Sequence, residues 1–444
     1  MLKNDGIAII EREYDDKGCV AVESYYGVSG EPLLLSGNKY HKIVREWLDA
    51  KHATSEAWFD TEGKPMTQGD TFVKIERTFD AAGNTLTEVT YDGNGQPIAR
   101  NAGYDEQRNT FNEKNQVVKI EYLLGGAPVL KNDGIAIIER EYDDKGLVAV
   151  ESYYGTSGEP VLLSGNKYQK IVRTWMDSKH ATSEAWFGVE DEAIPQGDTF
   201  VKIEREFDKK GNCTEERYYG PDGALIPCKG GWDTLRRQYN EKNQATKFFY
   251  VLNGAPFTVG DGYAIMDREY DAAGNVSYEK YYDGEEKPVL CKKGYGEVRR
   301  VYNDKKQVIR ESWFDTEGKP MTNGDTYYGV EKEYDEAGNV SVTRFLDAEG
   351  QPTACQAGYE MVWKRYNEKK QNIYESYMDH TGAPMKNNKG VYQTTYDYNE
   401  NGKVIQEQYL DENGQLMKNS DGYVRVIRTW NEDGSLASEE GREE

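Results

Sequence analysis

Apolar and polar residues alternate along this chain in short runs, without the three-and-four spacing of an amphipathic helix. Segments such as Ile137 to Tyr142 and Leu147 to Tyr154 are rich in Val, Ile, Thr and Tyr and run close to period two, which predicts strands. The strands keep a clock. An aromatic ring stands at Tyr14, Trp47, Phe79, Phe111, Tyr142, Trp175, Phe207, Tyr239, Tyr270, Tyr302, Tyr334, Tyr366, Tyr398 and Trp430, at steps of 31 to 33 residues and nearly always 32. Self-similarity at a fixed period marks a solenoid or stack. The expected fold is all-β: one array over residues 1–444, an elongated stack of about fourteen 32-residue β-hairpin repeats.

With that ring as position zero, other residue types hold their own phase. Seven before it stands an apolar residue, mostly aromatic, as at Tyr40, Phe72, Tyr104 and Tyr295; eleven after it stands another, as at Tyr25, Trp58, Tyr153, Trp186, Tyr281 and Trp313, with Thr90 the exception. Three rings per unit give a thin repeat with few aliphatics something to bury. Odd units carry Asp-x-x-Gly directly after the ring, with Asn399 for Asp in the last. Gly18, Gly83, Gly146, Gly211, Gly274, Gly338 and Gly402 thus close the turn. Asp caps the turn amides and Gly takes positive φ cheaply. Even units put Lys51, Asn115, Lys179, Asn243, Lys306 and Lys370 there, Gly434 excepted. The expected building block is therefore a pair of units, about 64 residues long. A second turn follows, Gly-x-Pro in most units, with ten of the thirteen prolines at one phase, where a missing amide suits a turn exit or edge. Close copies, Leu2 to Gly27 against Leu130 to Gly155 with Leu147 for Cys19, point to unit number changing by recombination.

Composition alters the picture in two ways. A net charge of -23 and a pI near 4.8 argue against nucleic acid and against an anionic membrane surface. The cations are nevertheless placed: two before the ring stand Arg12, Arg45, Arg77, Arg140, Arg173, Arg205, Arg237, Arg268, Arg300 and Arg428, and nine after it Glu23, Glu56, Glu184, Glu279, Glu375 and others. Stacked, these form like-charge columns that need an opposite column beside them. Two readings stand: ion-pair ladders that hold register, or a groove whose Arg column and ring faces contact an extended polymer. Cys228, Cys291 and Cys355 share one phase in alternate units. At ~4.8 Å per strand alternate units sit roughly 20 Å apart, beyond the ~7 Å disulfide reach. Unpaired thiols place the chain in a reducing compartment, cytoplasmic or at the inner face of a membrane, with the cell surface left open.

The sequence carries few chemical motifs. The chain holds no G-x-x-x-x-G-K, G-x-S-x-G, H-E-x-x-H or C-x-x-C, and its carboxylates recur in every unit, which argues against an enzyme, a cofactor or a metal site. Asp397 to Gly402 matches the first half of an EF-hand loop, but Gln408 occupies the twelfth position. Asp5, Asp70, Asp133, Asp198, Asp261 and Asp325 share a phase nine before the ring, as Asx-turns or as an array of calcium ligands. No apolar run approaches the length that membrane insertion requires. Met1 opens within a unit, so a fragment of a longer protein is expected.

Stretches such as Tyr270-Asp-Ala-Ala-Gly-Asn-Val and Tyr281-Tyr-Asp-Gly-Glu-Glu-Lys-Pro-Val resemble two bacterial families, the YD (Rhs-type) repeat and the cell-wall or glucan-binding repeat. Both families have a clearly shorter period than this chain, and neither match covers a whole unit. The resemblance implies a bacterial β-hairpin array attached to envelope proteins or polymer-handling enzymes. Two functions follow. One is a non-catalytic spacer, ruler or docking arm for a catalytic or anchoring domain of the parent protein, such as a glycopolymer or teichoic acid transferase. The other is a module binding a cell-wall glycan or polymer, with Trp58, Trp186, Trp313, Tyr25, Tyr153 and Tyr281 stacking on sugars beside the Arg column.

Overall fold

The computed structural model describes residues 7–35, 40–165 and 167–444. Among them are thirty strands and no helix. The chain divides into two compact units, 1–229 and 230–444, each with fifteen strands. Within each unit every hairpin pairs antiparallel with the next along the chain.

One hairpin explains the rest. Strand Ile137–Tyr142 pairs with Val148–Tyr154, and the register shifts between Glu141 and Tyr142. The Asp143 carboxylate accepts the amides of Lys145 and Leu147 at 3.0 and 2.8 Å, while Gly146 closes the turn at φ 83°. This is a type I turn with a left-handed residue and a bulge, which fits the twist of the two strands. A second, near-identical turn follows the second strand. Asp283, for example, accepts the amides of Glu285 and Lys287, after which Pro288 bridges back to Tyr282. Where Gly27, Gly155 or Gly188 replaces that Asp, Glu31, Glu159 or Glu192 folds back to supply the carboxylate, filling the space a glycine Cβ would occupy. A third turn opens at the cysteine phase, as Cys291 donates to the Tyr295 carbonyl at 2.8 Å, and leads into the next hairpin.

Pairing puts Ile43 opposite Trp58 and Arg45 opposite Glu56, so the residues four and two before the clock ring share a face with those eleven and nine after it. The connecting segments cover that face over the first of these columns. Ile43, Ile75, Ile171, Val298 and Val362 are at most 4% exposed there. The opposite face carries polar pairs such as Tyr219 on Glu204 and Lys202 over the Tyr219 ring.

The expected alternation between odd and even units has a steric basis. In even units Gln116, Gln244, Gln307 and Gln371, or His52 and His180, point at the turn glycine of the next odd unit; a Cβ on Gly211 would lie 2.7 Å from His180 Nε2. Four odd units instead offer the shorter Asn84, Asn212, Asn275 and Asn339, the others Cys19, Leu147 and Lys403, and the residues facing those four are Asn115, Asn243, Lys306 and Lys370. Asn84 bonds Asn115 at 3.0 Å. Asn115, Asn243, Lys306 and Lys370 do take positive φ, near 60°. Lys51 and Lys179 do not belong with them. In those two units Asp49 and Asp177 sit one residue later, and their carboxylates clamp the ring and amide of His52 and His180.

Gly211→Ala and Gly223→Ala separate the two demands. Both positions have positive φ, 84° and 78°, but only the first is crowded. Each should lose about 1 kcal/mol to the left-handed backbone, and Gly211→Ala clearly more, in equilibrium urea unfolding.

Candidate functional site

The rings expected to stack on a ligand lie in a seam along the covered face. Tyr25, Tyr153, Tyr281 and Trp313 are 5–6% exposed; Trp58 and Trp186 are half-buried. Each meets the ring seven before the clock position. Tyr25 contacts Tyr40 at 5.8 Å, Trp58 contacts Phe72 at 6.0 Å, and Trp186 contacts Phe200 at 6.2 Å between centroids. In residues 230–444 the contacts run on from ring to ring: Trp232, Tyr250, Tyr263, Tyr281 and Tyr295, then Trp313, Tyr327, Phe345, Tyr359 and Tyr377, at 4.6 to 6.1 Å. Tilted and edge contacts at such distances add about 0.5–1.5 kcal/mol each beyond area burial. Cys228, Cys291 and Cys355 are buried beside this seam, at 5–8% exposure, as small apolar fillers.

The clock ring itself is not the core ring. It is half-exposed, and its work is polar. Its hydroxyl or indole N–H donates to the carbonyl six past the preceding clock ring, as Trp47 to Val20, Tyr142 to Val117 and Tyr302 to Val276, at 2.7–2.9 Å. Phe111 has no donor, and Asn109 two residues before it bonds the equivalent Thr85 carbonyl at 3.0 Å. Phe79 and Phe207 pack instead on His52 and His180, 5.0 Å between centroids.

Between clock ring and seam lies the charge ladder. Arg12, Arg45, Arg140, Arg173 and Arg268 pair with the Glu across their own hairpin at 2.5–3.2 Å. Arg77, Arg205, Arg300 and Arg428 also reach back to the Glu of the hairpin before, at 2.7–3.1 Å. Arg237 stands at the same register, opposite Phe248. Burial by itself would raise Glu279, but hydrogen bonds and charge from Arg300 and Arg268 outweigh it and hold its carboxyl below the ordinary 4.5; Glu56 and Glu184 are lowered by the same balance. Burial, with the charge of Glu279 next, pushes the Tyr281 hydroxyl up.

The aspartates nine before the ring join neighbouring loops. Asp70, Asp198 and Asp325 each accept their own next amide and that of Asn101, Lys229 or Gln356 one unit on, at 2.6–2.7 Å. Thr71, Thr199 and Thr326 beside them donate to carbonyls of the same neighbouring loop. Asp5 lies outside the described residues. Asn399 caps its turn through Lys403, and Gln406 donates to Asp397 at 2.7 Å. Among the described residues no three His, Cys, Asp or Glu are grouped to hold a metal, and no helix is long and apolar enough to cross a membrane.

Cavities repeat with the fold. Depressions of about 470, 380 and 470 Å³ recur between an even unit's first turn and the next clock ring, at Asn112 and Tyr142, Asn303 and Tyr334, and Asn367 and Tyr398. A smaller one of about 190 Å³ lies among Arg268, Tyr281, Cys291, Lys292 and Arg300.

The class these features define is an all-β hairpin-repeat protein. No family model matches the chain, and no curated protein matches it. Among solved structures, the crystal structure of TcdB2-TccC3 without hypervariable C-terminal region aligns over 99% of this chain and 20% of its own, at 12% identity and TM-score 0.26. TcdB2-TccC3-TEV aligns over 96% and 24%, at 10% identity and TM-score 0.28. The Photorhabdus luminescens Tc holotoxin pore aligns over 97% and 24%, at 10% identity and TM-score 0.24. This chain thus spans about a fifth to a quarter of those chains. At such TM-scores the likeness adds nothing to the fold described above.

The ladder carries a pH dependence. Carboxyls held below 4.5 in the folded state contribute in full above that value and lose their contribution as the pH falls through the lowered ones. The urea midpoint should drop between about pH 5.5 and about pH 3, and Glu279→Gln should shrink that drop.

Proposed function

We propose that this chain is a non-catalytic scaffold, a spacer, ruler or docking arm for other parts of a larger protein. The observation that carries the reading is that its recurring chemistry is spent between neighbouring hairpins. Seam rings face rings, clock rings hold carbonyls, and the arginines hold glutamates. A side chain so engaged must break a contact before it serves a ligand, and an enzyme needs one constellation that its repeats do not share. A link to a bacterial envelope-polymer enzyme rests on the family resemblance alone, as does a cell-wall glycan ligand.

Two measurements test this. The intact chain should show no retention on glycan and teichoic acid supports; retention that free polymer competes away would replace the scaffold reading with the binding one. Deleting residues 270–333, one odd-even pair, should leave a protein that folds and melts as before, because every junction keeps its kind. Deleting residues 270–301 alone sets Lys306 against Gln244 where Gly274 stood, and should lower the melting midpoint. Equal behaviour of the two deletions would remove the pair as the unit of length.

A further inference from the structure

The sheet face that the connecting segments leave open departs from the repeat at one hairpin, Met361–Tyr366 with Asn372–Met378. The residue just before the clock ring is Glu, Asp, Thr, Gln or Val in thirteen of the fourteen units, and in the remaining one it is Arg365. Two residues earlier stands Trp363, in a column that holds no other aromatic residue. Strand pairing sets Arg365 opposite Tyr374, and alternation puts all three side chains on the open face.

Two acids of the Arg365 column find their cation within the hairpin, Glu206 in Arg217 at 2.5 Å and Glu333 in Arg344 at 2.6 Å. In the hairpin of Arg365 the answering position holds the buried Ser376. Among the described residues Arg365 pairs with no carboxylate. Its guanidinium instead lies 4.1 Å from the Tyr374 ring centroid and 5.6 Å from that of Trp363. The two rings meet edge to face, 5.7 Å apart, and the Tyr374 hydroxyl donates to Gln393 at 2.9 Å. Arg365 is exposed and Trp363 is 38% exposed. A cation fixed in orientation by two rings thus stands open to solvent without an acid.

We propose that this hairpin docks a peptide segment of a partner protein, whose single Asp or Glu takes the fork of Arg365 while an apolar neighbour covers Trp363. A guanidinium already stacked on rings gives up little further freedom when a carboxylate meets its fork. Arginine, tryptophan and tyrosine are also the residues on which the energy of an interface concentrates. The net charge of -23 disfavours a polyanion here, and a bare inorganic anion leaves the indole uncovered. One carboxylate with an apolar neighbour satisfies both demands. The site gives the docking arm proposed above a point of contact and rests on that reading, but its loss leaves the spacer role intact.

Selection of a random linear peptide display library on the 444-residue chain tests it. Peptides retained by the wild-type chain and released by Arg365→Gln should carry Asp or Glu beside an apolar residue. For one such synthetic peptide, Arg365→Gln should raise the dissociation constant at least about 10-fold in fluorescence anisotropy. Changing the peptide's acid to its amide should do the same, and the two changes together should cost no more than either alone. Trp363→Ala should also weaken binding about 10-fold. Arg310→Gln serves as the control, because that cation of the same face already has Glu331 at 3.6 Å, and it should stay within about 2-fold of wild type. Circular dichroism checks that each variant is folded. A selection that yields no peptide dependent on Arg365, or a peptide whose amide form binds equally well, overturns the proposal. So does self-association of the wild-type chain that Arg365→Gln abolishes, since the occupant is then a second copy.

Discussion

A single sheet layer has two faces and no second layer to bury either, and this constraint shapes everything else in the chain. Side chains that alternate along a strand leave only three or four columns per face for the whole interior. This protein covers one face with its own connecting segments, so the core is a strip about two columns wide. Aliphatic side chains fill a strip poorly, and rings fill it well. The seam of rings seven before and eleven after the clock position is the outcome, with Val298 and Val391 sealed to 0% exposure beneath it. Beside the strip lies the half-wet ladder of Arg and Glu, where a charge keeps part of its hydration and gains two partners. A fully buried pair would not offset its desolvation as easily.

What the repeats preserve is the position of a group, not the residue that bears it. The turn carboxylate comes from Asp283 in one hairpin and, where Gly27 takes that place, from Glu31 four residues later. The hydrogen bond to the inter-hairpin carbonyl comes from tyrosine, tryptophan or Asn109. Such exchanges are expected when each unit contacts only its neighbours, because a local defect needs only a local remedy.

Much of the fold was legible in the sequence for the same reason. Fourteen copies average out the ambiguity of any one strand, so the hairpins, their turns and the columns follow from phase alone. Relations between phases were harder. The clock ring is the most regular residue, yet the core ring is its neighbour, because a fixed spacing reports a needed atom and does not say whether it is a donor or a buried face. Lys51 and Lys179 share a phase with Lys306 but not its backbone, since Asp49 and Asp177 moved the cap by one residue. The aspartates before the rings read as local turns, but Asp70 also holds Asn101 in the next unit, a contact that no local pattern reveals.

The alternation of odd and even hairpins bears on how such a chain changes length. A Gln or His in one turn requires a glycine in the next, and a shorter Asn permits Asn or Lys. Inserting a single even hairpin places two even turns in succession and sets a side chain against the Gln that glycine had accommodated. Inserting a pair disturbs no junction. An odd-even pair is therefore a neutral step in length wherever it is inserted. The near-identical segments at Leu2 and Leu130 stand two such steps apart, as duplication by whole pairs requires. A site in a chain that grows in this way is copied or deleted along with its pair. Chemistry that depends on one irreplaceable constellation is poorly placed in it, and a role that tolerates a changing number of equivalent junctions is well placed.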